Sequence, residues 1–125
     1  MSLDPNRKTR DYLYGRLLAI ADRLEGHALY KAKENRDTNA ARLMQRFAER
    51  PCSTWRQIYL SLSPYMARLG GAKYYKDMMD EVTCKFNSED FTSDKSLSGE
   101  FLLGYSCQRA DLWKKKEESP EQEEN

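Results

Sequence analysis

A long apolar repeat near the start of the chain limits the fold more than any other feature. Its side chains recur at steps of three and four residues: Leu13, Leu17, Ile20, Leu24 and Ala28. This spacing places them on one stripe of an α-helix. We therefore predict a helix from about residue 9 to residue 33, with Thr9 as its N-cap. Gly15 lies inside this helix, and we expect a second helix to cross closely there because glycine has no side chain.

Further segments have helical spacing, and none shows the sustained alternation of a strand. The second predicted helix covers about 39–49 and the fourth about 72–86. The third starts at Ser53 or Thr54 and either ends at Pro64 or continues through Leu69. The last starts at Ser96 or Ser98 and includes Leu112. Pro51 ends the second helix, and a polar loop over 87–96 precedes the last one. The sequence therefore predicts an all-α fold, a compact bundle of about five short helices at residues 1–113, followed by a charged flexible tail at 114–125.

The same patterns predict the helix caps and the core. We expect Thr38 or Asn39 to cap the second helix, since both side chains accept hydrogen bonds from backbone N–H groups. For the third helix the candidate caps are Ser53 and Thr54, and Pro64 kinks or ends that helix. The predicted core side chains are large and apolar: Leu13, Leu17, Leu24, Phe47, Trp55, Tyr74 and Leu102.

Cysteine and histidine usage gives little support for an enzyme or a metal site. The three cysteines, Cys52, Cys84 and Cys107, are far apart and form no C-x-x-C pair, so we interpret them as ordinary buried thiols. His27 is the one histidine, and we expect it to be structural and partly buried. The sequence offers no base to activate a nucleophile. We expect no catalysis, no metal, no cofactor and no small-molecule substrate.

One acidic group has the spacing that a metal-binding helix would use. Asp77, Asp80 and Glu81 lie on one side of the predicted helix over 72–86. No histidine or second acidic cluster accompanies them, which favours a solvated surface. No run approaches the roughly 18 apolar residues of a membrane span, and the first ten residues lack the apolar core of a signal peptide. We therefore expect a cytoplasmic protein without a membrane partner.

The net charge of +1 conceals a strong asymmetry along the chain. Residues 1–76 carry 15 lysines and arginines against 7 acidic residues. Residues 77–125 carry 6 basic against 13 acidic residues. This separation favours an anionic partner for the first part of the chain. The alternative is that the two parts neutralise each other within the fold.

The basic charge is concentrated between residues 31 and 56, which we call the basic segment. It contains Lys31, Lys33, Arg36, Arg42, Arg46, Arg50 and Arg56. Three of these arginines are four positions apart, which would place like charges on one helical strip at a cost of a few tenths of a kcal/mol per pair. Guanidinium groups match phosphate oxygens, and the segment has no base-reading motif, so binding would follow the nucleic-acid backbone. The alternative is a solvated face.

Motifs near the two ends of the chain resemble one known family. The family pattern is matched by Asp4-Pro5-Asn6, Tyr12-Leu13, Gly15-Arg16-Leu17, Ala19, Gly104-Tyr105, Gln108-Arg109 and Asp111-Leu112. In order and spacing these residues resemble the C-terminal region of the type I-C CRISPR large subunit. The family often has proline near Thr9, so the start of the first helix departs from the pattern. The basic segment matches only loosely.

The resemblance implies a function and a set of partners. In type I-C systems this region is also made as a separate chain by internal translation, and the present sequence, with Met1 just before the motif, looks like that small subunit of the Cascade effector complex. The implied partners are the backbone and large subunits, guide RNA, target DNA and a second copy of the chain. The implied position lies along the guide RNA–target DNA hybrid, and no catalytic site is implied.

Two functions of different classes follow from these observations. In the first, the basic segment binds nucleic-acid backbone and stabilises the opened target DNA, the R-loop. In the second, the chain is a structural spacer that contacts only protein. A second set of residues is expected to contact either a subunit or the nucleic-acid backbone: Arg16, Gln108, Arg109, Lys114 and Lys115. For Gln108 and Arg109 we also expect a structural role, in which this motif packs against the first helix. The acidic part of the chain would dock on a basic neighbour or on the next copy.

Overall fold

The fold consists of helices joined by short connections. The computed structural model describes the backbone of residues 2–118 and the side chains as far as Lys114. The helices are α1 (Arg10–Ala32), α2 (Asn39–Arg42), α3 (Met44–Glu49), α4 (Pro51–Ser61), α5 (Ser63–Arg68), α6 (Ala72–Thr83), α7 (Ser88–Thr92) and α8 (Glu100–Glu118). No strand occurs over this described range, and the predicted all-α bundle is confirmed.

Helix α1 is the centre of the bundle. Every residue from Tyr12 to Ala21 is buried, because α1 packs against α8, α6, α2 and α4. Its largest contact is with α8. Gly15 lies against Phe101 and Tyr105, and further along both helices Arg23 lies over the ring of Trp113. The contacts advance in the same direction on the two helices, so α1 and α8 run parallel.

Two glycines make the close approach of α1 and α8 possible. A Cβ atom on Gly15 would lie 2.0 Å from the carbonyl oxygen of Phe101, and one on Gly104 would lie 2.1 Å from the carbonyl oxygen of Tyr12. Real Cβ atoms do not come this close to a backbone atom. The helix crossing predicted at Gly15 is therefore confirmed, and its partner on α8 is a second glycine. Any larger side chain at either position would push the two backbones apart.

The predicted second helix is broken at Leu43, which is a correction to the sequence analysis. Leu43 has φ −103° and ψ 12°, outside helical geometry, and it separates α2 from α3. The two halves share partners but differ in emphasis, since α2 packs mainly on α1 and α3 packs mainly on α4. The side chain of Thr38 accepts a hydrogen bond from Ala41 N–H at 3.1 Å, so the predicted cap is confirmed.

The third helix starts earlier than predicted, and Ser53 and Thr54 lie inside it. Pro51 occupies the first turn of α4, where its fixed φ is compatible with the helix and its missing N–H costs nothing. The capping carboxylate comes from a distant loop. Asp94 accepts a hydrogen bond from Ser53 N–H at 3.0 Å and another from the Ser53 hydroxyl. Both bonds lower the pKa of Asp94.

Most of the predicted core is confirmed, but two positions are wrong. Tyr74 is 48% exposed and Leu102 is 51% exposed, whereas their neighbours Tyr75 and Phe101 are buried. The α8 register is fixed by the glycine contact, which turns Phe101 and Gly104 toward α1 and leaves Leu102 outside. On α6 the buried residues are Ala72, Tyr75, Met79 and Val82. Tyr75 is buried in place of the predicted Tyr74, so the apolar stripe is shifted by one residue at the start of this helix.

Several smaller expectations also differ from the structure. Thr9 is the N-cap residue of α1 but makes no side-chain capping bond. The predicted loop over 87–96 contains the short helix α7, capped by the side chain of Asn87. Cys52 and Cys107 are buried as expected, whereas Cys84 is exposed at the end of α6. Helix α8 continues to Glu118, inside the predicted tail, and positions 119–125 lie outside the described residues.

Candidate nucleic-acid interface

All seven cations of the basic segment are exposed. Their orientation follows from the apolar residues on the opposite sides of the same helices. Ala40 on α2 and Phe47 on α3 are buried, and the Phe47 ring contacts Tyr14 and Phe101 with centroids 5.7 and 6.0 Å away. On α4, Trp55 and Ile58 are buried. Burial of these side chains turns the arginines of all three helices toward solvent.

Two members of the basic segment have structural roles. Arg36 donates hydrogen bonds to Glu25 at 2.9 Å and to the Tyr65 hydroxyl at 2.6 Å, which fixes the connection after α1 against α5. Glu25 is fully buried, so Arg36 neutralises a carboxylate that would otherwise be costly to bury. Lys33 ends α1 with φ 58°, and its N–H bonds to the Tyr30 carbonyl oxygen at 3.2 Å.

Four exposed arginines form no ion pair within the described side chains, and we call them the arginine group: Arg42, Arg46, Arg50 and Arg56. Arg50 lies near Asp94 and helps to lower the pKa of that carboxyl. The Arg42 guanidinium donates to the side-chain oxygen of Asn39 at 2.8 Å. The group is not one strip on a single helix, as the spacing predicted, because Leu43 breaks the helix and Arg50 lies between α3 and α4.

The exposed cations of α6 are arranged differently. Lys73 pairs with Asp77 at 2.7 Å, and Lys76 pairs with Asp80 at 2.9 Å. Both pairs have the four-residue separation that lets a helix neutralise its own surface. Lys73 and Lys76 are therefore neutralised by carboxylates of their own helix, whereas no ion pair is formed by the arginine group within the described side chains.

The second predicted set of contact residues divides into buried and exposed members. Arg16 is 4% exposed and donates from Nε to the Gln108 side-chain oxygen at 2.8 Å, and Gln108 is fully buried. Burial lowers the pKa of Arg16. Neither side chain reaches the surface on which we expected a contact. Arg109 and Lys114 are exposed on α8, and the side chain of Lys115 lies outside the described residues.

The motif residues from the two ends of the chain meet in space. Gly15 and Gly104 form the backbone contact of α1 with α8, and Arg16 and Gln108 pair beside it. The N–H of Asp4 donates to the Tyr12 hydroxyl at 3.0 Å, which folds the first motif back onto α1. These motif residues hold the bundle together, and none belongs to the arginine group.

Other kinds of site have little support in the structure. No cluster of metal-ligating side chains occurs among the described residues, and none of the helices in that range has the length and apolarity needed to cross a membrane. His27 is half-buried beside Tyr75, with ring centroids 6.4 Å apart. The sequence analysis did not predict one exposed aromatic residue: Tyr30, near the end of α1, is 83% exposed and is followed by Lys31 and Lys33.

These features define a small helical bundle with a motif-built contact between α1 and α8 and a group of unpaired arginines on the described part of its surface. The chain matches the family model of the CRISPR-associated protein Cas_Csd1 over residues 1–113. The chain therefore belongs to this family, which confirms the resemblance to a type I-C Cascade component. A comparison with curated proteins finds no match.

Proposed function

We propose that the chain is a non-catalytic small subunit of a type I-C interference complex. In this proposal the arginine group binds the nucleic-acid backbone and stabilises target DNA that the guide RNA has opened. The other Cascade subunits, the guide RNA and the target DNA are the partners. Family membership supports assignment to a CRISPR complex, and the surface charge supports the contact with nucleic acid.

One observation carries the proposal: four exposed arginines form no ion pair in the described part of the chain, although Arg50 is close enough to Asp94 to help lower the pKa of that carboxyl. An exposed ion pair contributes little to stability, so leaving these arginines unpaired costs the fold little. Their guanidinium groups remain free to bind phosphate oxygens in bidentate geometry. The lysines of α6 are engaged with their own carboxylates and are less suited to this role.

Modest contacts are sufficient for this function. Exchange of a DNA duplex for a guide RNA–DNA hybrid is nearly balanced in free energy, so contacts between protein and backbone can decide how long the DNA stays open. The displaced strand competes for re-pairing. A basic surface that retains this strand slows its return without reading sequence.

The spacer function is the second candidate, and α6 is the observation that favours it. Asp77, Asp80 and Glu81 are exposed on this helix. The first two are in ion pairs with Lys73 and Lys76, and a basic neighbouring subunit would compete with these lysines for the carboxylates. The two functions differ in what the arginine group does. A spacer would need these arginines for assembly with protein or would not need them at all.

The test compares two surface variants in the assembled guide complex. The first replaces Arg42, Arg46 and Arg50 by alanine, and the control replaces the paired Lys73 and Lys76 by alanine. We expect both complexes to assemble, and we expect only the arginine variant to lose stable opening of target DNA, measured by chemical probing of unpaired bases. Loss of assembly in the arginine variant would favour the spacer function. Equal DNA opening in both variants would contradict the proposal.

A further inference from the structure

An exposed aromatic side chain lies at the edge of the basic segment. Tyr30 is on the last turn of α1 and is 83% exposed, the highest value among the large hydrophobic residues of the described chain. Lys31 follows it directly, and Lys33 ends the helix. Both lysines are exposed. The ring of Tyr30 is thus presented to solvent in a positively charged surrounding, although the other tyrosines of α1, Tyr12 and Tyr14, are buried.

Thr38 joins Tyr30 to the arginine group. On α1, Asp22 accepts a hydrogen bond from the Thr38 hydroxyl, and Gly26 lies against the Thr38 methyl group. Asp22, Gly26 and Tyr30 are four residues apart, so they share one strip of α1 and Tyr30 is one turn beyond the Thr38 contact. Tyr30 therefore lies about one turn from the Thr38 contact toward the C-terminal end of α1.

Arg42 follows Thr38, and its N–H bonds to the Thr38 carbonyl oxygen at 3.0 Å. It lies in the opposite direction from Tyr30, because the chain runs back along α1 until Phe47 lies beside Tyr14. An extended strand along this face would pass Tyr30 first and the arginines after it.

An aromatic ring and arginines in this arrangement suit one kind of nucleic acid. The bases of a duplex are stacked on each other and present no free face, whereas each base of a single strand does. Stacking on a tyrosine ring tolerates any base, and the arginines and lysines bind the phosphates between the bases. From this arrangement we infer that the surface formed by Tyr30 and the arginine group binds single-stranded nucleic acid, with Tyr30 stacked on a base.

This inference rests on the proposed function and makes it more specific. The single-stranded nucleic acid of an opened target is the displaced strand, and Tyr30 distinguishes it from duplex DNA outside the opened region. Two contributions to the binding free energy, phosphate contacts and base stacking, can also be distinguished because salt affects them differently. Phosphate contacts weaken as salt rises, and the base contact does not depend on counterion release.

The test uses the assembled guide complex on target DNA that is already opened as a bubble. The displaced strand of the bubble is either a thymidine run or an abasic run of the same length, and neither pairs with the target strand. With thymidines, Tyr30→Ala is expected to weaken binding about 5- to 150-fold without changing the salt dependence. With the abasic strand, Tyr30→Ala and wild type are expected to bind equally. Tyr30→Phe keeps the ring and should behave as wild type.

The other outcomes identify which claim fails. Full binding by Tyr30→Ala on thymidines, together with weak binding when the arginine group is replaced by alanine, would overturn stacking and leave the proposed function in place. Full recovery by Tyr30→Leu would mean an apolar contact with protein or sugar and would also overturn stacking. If neither the tyrosine nor the arginines affect binding, both the inference and the proposed function are wrong.

Discussion

The contact between α1 and α8 and the arginine group use the same residue type in opposite ways. Arg16 is buried between the two helices and bonded to Gln108, whereas Arg46 is exposed on α3 with no carboxylate partner among the described side chains. The first region contains the motif residues on which the resemblance rests, and the second lies within the same family match over residues 1–113 without contributing to those motifs. The comparison shows that the motif residues stabilise the packing of α1 against α8. The surface proposed to bind nucleic acid is built on the bundle that this packing forms.

The largest effect is expected where α1 and α8 touch. Gly15→Ala would place a Cβ atom 2.0 Å from the Phe101 carbonyl oxygen, so the helices must separate. We expect destabilisation at or above the top of the range of about 1–3 kcal/mol for overpacked cores, measured by urea denaturation.

Gly26→Ala is the matched control in the same helix. The added Cβ meets only the Thr38 methyl group, 3.9 Å away. Because alanine is the better helix former, we expect a neutral effect or a gain of about 0.5–1 kcal/mol. Equal stability of the two variants would show that the glycine contact does not hold the bundle together.

A cavity in α1 should have the next largest effect. Leu17 is fully buried in the core cluster, so Leu17→Ala removes buried apolar surface and leaves a void. We expect a loss of about 2–5 kcal/mol in the free energy of unfolding. A loss below about 1 kcal/mol, by the same denaturation measurement, would show that this part of the core is loosely packed.

The buried polar pair should have an intermediate effect that is confined to stability. Arg16→Met leaves the Gln108 side-chain oxygen without its donor, at an expected cost of about 1–3 kcal/mol. The double variant Arg16→Met/Gln108→Leu should cost less than the sum of the two single variants. Target affinity of the assembled complex should be unchanged. Normal stability with reduced affinity would mean that Arg16 binds phosphate.

Arg109 should affect assembly more than stability. Its side chain is exposed on α8, so Arg109→Ala should change the free energy of unfolding by less than about 1 kcal/mol. We expect weaker incorporation into the guide complex, measured by co-purification, because the exposed motif residue is suited to a subunit contact. Normal incorporation with loss of DNA retention would instead place Arg109 with the arginine group.

The sequence predicted the fold where the local pattern agrees with the tertiary contact. The stripe from Leu13 to Ala28 and the crossing at Gly15 were both predictable, because periodicity and a glycine inside a helix are local signals. Tyr74 was wrong because the Tyr74–Tyr75 pair offers two neighbouring registers, and packing against α1 buries Tyr75. Leu102 was wrong because the close backbone contact turns Phe101 and Gly104 toward α1.

The residue types of the candidate site could be predicted from the sequence, but the positions of those residues in space could not. The basic segment is evident from the sequence, whereas the break at Leu43 depends on which helix each half contacts. The ion pair of Arg36 with Glu25 and the exposure of Tyr30 also depend on the tertiary structure. Periodicity could have indicated Tyr30, since it lies four residues after Gly26 on the polar side of α1.

The most direct test of the nucleic-acid function is the salt dependence of target binding by the assembled complex. The wild-type chain is compared with the triple variant Arg42→Ala/Arg46→Ala/Arg50→Ala. Its stability should be almost unchanged because the three side chains are exposed and alanine favours helix at positions 42 and 46. Removing one arginine–phosphate interaction on a single strand flattens the log–log slope by about 0.7, so we predict a slope flatter by about 2 for the triple variant. Unchanged affinity and an unchanged slope would contradict the account and leave the arginines as a solvated surface.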